Sequence, residues 1–203
     1  MVIRPLFIPA SLMFLLISVT ACDPVTGSLI SGAAAVGTGS VQERGLESAV
    51  DDTKIRASIN SSWLENDWSL FSDISTSVTE GRVLLTGSVK KPESRIEAVR
   101  LAWQAAGVRQ VIDEIQVTDQ SGFFDFSRDV WIANNLRTRL MFDQQIRNIN
   151  YTVDVVNGVV YLMGIARSPE ELDKVIAHAR NIDNVKRVVN HVLLKTDPHR
   201  QSM

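Results

Sequence analysis

The chain has 203 residues, 45% hydrophobic and 22% charged, with a formal net charge of −2. These proportions exclude a disordered chain, a collagen and a polytopic membrane protein, and the length allows one domain or two small ones. No Lys/Arg block offers duplex nucleic acid a footprint, and one cysteine with three scattered histidines makes neither an internal disulfide nor a closed zinc site.

Residues 1–21 follow the order of a signal peptide: one charge at Arg4, an apolar run from Leu6 to Val19, then small residues before Cys22. The run is shorter than the roughly 20 apolar residues of a spanning helix. Val19-Thr20-Ala21-Cys22 resembles a bacterial lipobox, so Cys22 is the expected lipidation site. Acyl chains such as palmitate would anchor it, each buried methylene adding about 0.8 kcal/mol. Asp23 resembles a signal for retention at the inner membrane, which leaves that membrane open beside the outer one. Residues 22–45, rich in Gly, Ala and Ser, read as a tether. Gly37-Thr38-Gly39 lacks the preceding strand, the Lys and the further Gly of a phosphate loop.

The first folded unit is expected over 46–118. Ile55, Ile59 and Trp63 recur every four residues and predict an amphipathic helix over Ala49 to Leu64. Ile74 to Thr79 and Arg82 to Val89 read as a hairpin around Glu80-Gly81. Pro92 opens a second helix with Ala98, Val99, Ala102 and Ala106 on its apolar stripe, and Gly107 ends it. Val108 to Val117 is a closing strand. Residues 119–126 read as a linker whose Phe123, Phe124 and Phe126 are expected to pack between domains.

The whole order then recurs over 127–195, followed by a tail over 196–203. Gly81 and Gly158, Gly87 and Gly164, Asp52 and Asp129, Ile55 and Ile132, and Pro92-Glu93 and Pro169-Glu170 all stand 77 positions apart without a gap. Asn157-Gly158 marks the second hairpin, and Val185 to Leu194 the second closing strand. The expected fold is α+β: two tandem units, each helix-strand-strand-helix-strand, with a three-stranded sheet and two helices on one face. Asp51-Asp52 and Glu170-Glu171 fall at predicted helix starts, where they suit the helix dipole.

The run Glu80-Gly81-Arg82-Val83-Leu84-Leu85-Thr86-Gly87-Ser88-Val89, with a helix and Val108 to Val117 after it, resembles the BON domain. Asn157 to Gly164 with Val185-Lys186-Arg187-Val188 is similar to it as well. Lipobox, small-residue spacer and two copies together resemble the dual-BON-domain lipoproteins over essentially the whole chain. The resemblance implies a periplasm-facing outer-membrane lipoprotein that binds anionic phospholipid through its second domain, supports envelope integrity and catalyses nothing.

Charge points to the same half. Residues 23–122 carry nine basic and fourteen acidic side chains, residues 123–203 eleven and nine, so an anionic surface would attract the second copy. Trp131 stands beside core Ile132, where the first copy has Lys54. An indole suits the bilayer interface, and the matching Trp-Ile pair of the resembling family belongs to its phospholipid-binding helix. Arg128, Asn135, Arg137 and Arg139 are expected to meet headgroups with Trp131, at about 1 kcal/mol per basic residue. The competing reading buries Trp131 between the domains or under the linker.

Trp63 reads as core and Trp103 as partly exposed. His178 and His191 have no ligand spacing, so no metal is expected, and no cofactor or catalytic group is. The alternative function is a non-catalytic adaptor whose partner is an envelope or division-site protein.

Overall fold

The computed structural model describes residues 45–118 and 123–200. Cys22, the signal segment, the tether, residues 119–122 and the last three residues lie outside them, as do the side chains of Phe123 and Phe124.

Helix α1 (Leu46–Asn66) buries Ile55, Ile59 and Trp63 along one stripe, and the Trp63 indole donates to the Ala98 carbonyl at 3.2 Å. Asp67 caps a short helix α2 (Trp68–Asp73), its carboxylate accepting from the Ser69 amide. Strands β1 (Ile74–Thr79) and β2 (Arg82–Val89) pair antiparallel. Glu80 and Gly81 both take positive φ, 54° and 75°, as a two-residue hairpin turn demands. A parallel neighbour needs a crossover; helix α3 (Pro92–Gln104) supplies it and delivers β3 (Gln110–Val117) alongside β2.

The second copy repeats this with α4 (Phe123–Phe142), β4 (Tyr151–Val156), β5 (Val159–Ala166), α5 (Pro169–Arg180) and β6 (Arg187–Leu194), except that a single 3-10 turn at Asn148–Asn150 stands before its hairpin in place of α2, a helix outside the expected order. Its sheet order, β4-β5-β6, matches the first copy's β1-β2-β3. The expected α+β fold with two three-stranded sheets is therefore present.

Several boundaries differ from expectation for local reasons. α3 ends at Gln104 and Ala106 is exposed, because the chain leaves the helix at Ala105 with extended dihedrals. The closing strands begin two residues late, since the Val108 and Val185 amides are still held in turns by Ala105 and Ile182. α4 begins at Phe123, so the last four residues of the expected linker are helix. Phe126, expected between the domains, is 67% exposed.

Each sheet carries its helices on one face and the other sheet on its opposite face. Val83 and Leu85 point into the first helix-covered core, Val160 and Leu162 into the second. The residues between them, Leu84 and Tyr161, are fully buried in a third core with Met163, Ile112, Val156 and Val189. Polar contacts close its margins. The Asn157 side-chain Nδ2 donates to Gln116 Oε1 at 2.8 Å, Gln116 Nε2 donates to the Tyr161 hydroxyl at 3.2 Å, and Arg82 donates to the His191 carbonyl at 3.1 Å. The result is a stack of helices, sheet, sheet and helices.

Candidate functional site

α4 buries Ile132, Leu136 and Leu140 and turns an unusual set of side chains outward. Phe126, Val130, Trp131, Met141 and Phe142 are all exposed, Trp131 by 47% and Phe142 by 76%. Their counterparts in the first copy are Ala49, Thr53, Lys54, Leu64 and Glu65. Five exposed large apolar groups along one helix, of which Phe126 and Val130 border the groove between the domains, exceed the scatter expected of a soluble surface. Comparison at the repeat offset singles out Trp131; the same comparison also finds Phe126, Val130 and Phe142, opposite Ala49, Thr53 and Glu65, but not Met141, opposite Leu64.

At about 100° per residue, Arg128, Asn135 and Arg139 fall within about 80° of Trp131 around the helix, whereas Arg137 lies about 120° away. The first three therefore share the indole's side of α4. Arg128 pairs with Asp125 at 3.0 Å, and Arg139 donates to Asn135 at 2.8 Å and to the Asn181 carbonyl at 3.0 Å. These contacts hold two cations at the edge of the apolar patch. Arg137 instead donates to the Val153 carbonyl and faces the groove between the domains. The reading that buries Trp131 between the domains does not agree with its exposure.

Glu170 and Glu171 do fall in the first turn of α5, whereas Asp51 and Asp52 lie inside α1. Asp52, one full turn inside α1, accepts from the Glu80 amide through Oδ2 and from the Gly81 amide through Oδ1, both at 2.9 Å. Asp129 does the same for Asn157 and Gly158. Each helix is thereby fastened to its own hairpin turn, which is why both residues recur in the repeat. Glu171 is buried and accepts from the Arg147 and Arg167 amides.

Neither histidine sits in a metal-like cluster, and no group of three ligating side chains occurs among the described residues. His178 bonds Asp143 at 2.9 Å and holds that carboxyl below its ordinary range. His191 bonds Glu114 at 2.9 Å across the domain interface. Also at that interface, loss of solvent raises the Asp154 carboxyl, partly offset by the Ser77 hydroxyl that donates to it at 2.9 Å and by Arg137. Trp63 is fully buried, as expected, and Trp103 is half exposed. Among the described residues no helix is long and apolar enough to cross a membrane.

Two copies of one βαβ-containing unit, each with a hairpin turn tied to the preceding helix, define the class of protein. Residues 51–119 and 128–196 match the family model described as BON domain, and the chain belongs to that family. A protein of Anaplasma centrale described as "Uncharacterized protein in gshII 5'region" is 40% identical over 147 residues, which are 72% of this chain and 96% of that protein. Osmotically-inducible protein Y of Escherichia coli (strain K12) is 27% identical over 72% of this chain and 74% of its own length. Outer membrane lipoprotein DolP of Haemophilus influenzae is 28% identical over 54% of this chain and 56% of its own.

Proposed function

We propose that this protein is a non-catalytic envelope lipoprotein that reads anionic phospholipid through the outer face of α4. The observation that carries the reading is the asymmetry between the copies. At equivalent positions the first copy presents Thr53, Lys54 and Glu65, and the second presents Val130, Trp131 and Phe142, all exposed. Apolar side chains gain by leaving water for the acyl boundary. An indole belongs at that depth, and Arg128 and Arg139 at the edge suit phosphate.

Cys22, acylated at its lipobox, would be the first membrane attachment and α4 the second, which is the combination that makes anchoring stable. The similarity to the Haemophilus relative, an outer membrane lipoprotein, supports a periplasm-facing place on the outer membrane. Asp23 keeps the inner membrane as the competing location. Support of outer-membrane integrity is the role proposed for the attached protein.

The test is co-sedimentation of the chain bearing Cys22→Ser, which removes acylation, with vesicles of graded phosphatidylglycerol content. Binding is expected to rise with anionic content and fall with salt. Trp131→Glu is expected to weaken it about tenfold or more, the loss of one anchoring aromatic with an added like charge. Binding indifferent to lipid charge would instead favour the adaptor reading, with an envelope protein on the same face.

A further inference from the structure

The repeat gives the interface between the sheets a pseudo-twofold axis. Ser77 bonds Asp154, and Glu114 bonds His191, each residue touching its own counterpart 77 positions on, as residues near the axis of an isologous interface do. The same axis relates two clefts between the domains. The smaller, about 100 Å³, is walled by Asp52 and Ser77 on one side and Ile149, Thr152 and Ile165 on the other. The larger, about 1140 Å³, has their counterparts, Asp129 and Asp154 facing Ser72, Ser75 and Ser88.

The residues that differ explain the difference in size. Three serines stand where the closed cleft has two isoleucines and a threonine. Thr86 lines the open cleft, whereas its counterpart Met163 fills the interdomain core. Thr86 is fully buried, and its Oγ1 makes no hydrogen bond among the described residues, an arrangement native folds seldom leave without a reason.

The lining is amphipathic. Phe71 from the first domain and Phe126 and Val130 from α4, all exposed, line it together. Arg56 and Lys90 are exposed on the cleft, and among the described residues neither has an ion pair or hydrogen bond. Arg137 joins them from α4. The acids there are engaged: Asp129 on the hairpin turn, Asp154 with Ser77, and Asp73 with the Ser72 hydroxyl at 2.8 Å.

We propose that this interdomain cleft binds one molecule of anionic phospholipid, with the phosphate on Arg56, Lys90 and Arg137 and an acyl chain between Phe71 and Phe126. The proposal rests on the reading of α4 as a membrane-facing helix, which brings the mouth of the cleft to the lipid. It adds a stoichiometric site to which the first domain contributes.

The test is titration calorimetry of the Cys22→Ser chain with dioctanoyl phosphatidylglycerol below its critical micelle concentration, with dioctanoyl phosphatidylcholine as the neutral comparison. Saturable one-to-one binding of the anionic lipid is expected, about tenfold or more tighter than of the neutral one. Thr86→Met with Ser88→Ile copies residues of the second repeat into the cleft and should abolish this binding while vesicles still sediment the protein. Arg56→Glu with Lys90→Glu, both exposed and safe for folding, should weaken it about tenfold or more. Trp131→Glu should lose vesicles and keep the soluble lipid. Native-like lipid binding by either cleft variant overturns the proposal, as does absence of soluble-lipid binding in a chain that still sediments with vesicles. Soluble-lipid binding without vesicle binding would leave the cleft standing and remove the α4 reading.

Discussion

Asp129 shows how much one side chain can organise. Its carboxylate takes both amides of the Asn157-Gly158 turn, which would otherwise be buried donors on a backbone that cannot relax. Charge-assisted bonds of this kind contribute about 1.5–3 kcal/mol. Asp129→Ala is therefore expected to lower unfolding stability by about 2–3 kcal/mol in a urea titration. Asp51→Ala, which removes only an exposed pairing with Lys54, should change it by about 0.5 kcal/mol or less. Equal effects would mean that the turn is held by other contacts. The sequence marked Asp52 and Asp129 as repeated but placed Asp52 on a helix dipole. The reason is that a carboxylate's partner 28 residues away leaves no local signature.

At the scale of the element, most of the fold was legible. The strands β1, β2, β4 and β5 follow from hairpin turns, α1 and α4 from four-residue apolar spacing, and α3 and α5 from a leading proline, because these patterns are local; α2 was not legible. Gly87 and Gly164 belong here too. A Cβ on Gly164 would lie 1.9 Å from the Asn150 carbonyl oxygen, and φ there is 142°, so β5 can pass under the start of β4 only as glycine. Gly164→Ala should cost about 3 kcal/mol or more, read as a lowered urea midpoint; a change within about 0.5 kcal/mol would show that the strand shifts freely. The start of α4 was not legible, since Phe123–Phe126 carries the apolar density of a packed linker as well as that of a helix.

For the whole molecule, the decisive feature is the sheet-on-sheet contact. The runs Val83-Leu84-Leu85 and Val159 to Met163 carried a hint of it: strands with one wet face alternate, whereas continuous apolar runs mark strands covered on both sides. Asp154 is enclosed at this contact, and its carboxyl is raised by burial. The folded state therefore holds that proton more tightly than the unfolded chain does. Stability contributed by the protonated acid is present below the ordinary carboxylate pKa and is lost as pH rises through the raised one. Asp154→Asn, which still accepts from Ser77, should melt higher than the parent at neutral pH, with the gap closing in acid. A gap that persists below the carboxylate range would assign the effect to packing instead.

The sequence by itself determined the two copies, most of their elements, their turns and the anomaly at Trp131, and it carries the lipobox on which the proposed attachment at Cys22 rests. Each of these rests on neighbours in the chain or on comparison of one copy with the other. Tertiary structure decided that Arg137 faces the cleft, and that Asp52 and Asp129 hold hairpins. It also decided that one of two symmetry-related clefts is open. The hairpin ties need partners 28 and 29 residues away within one domain, and the open cleft depends on side chains from both domains meeting across a pseudo-twofold axis. Whether serine or isoleucine stands at a given position has consequences there only once the opposing sheet is in place.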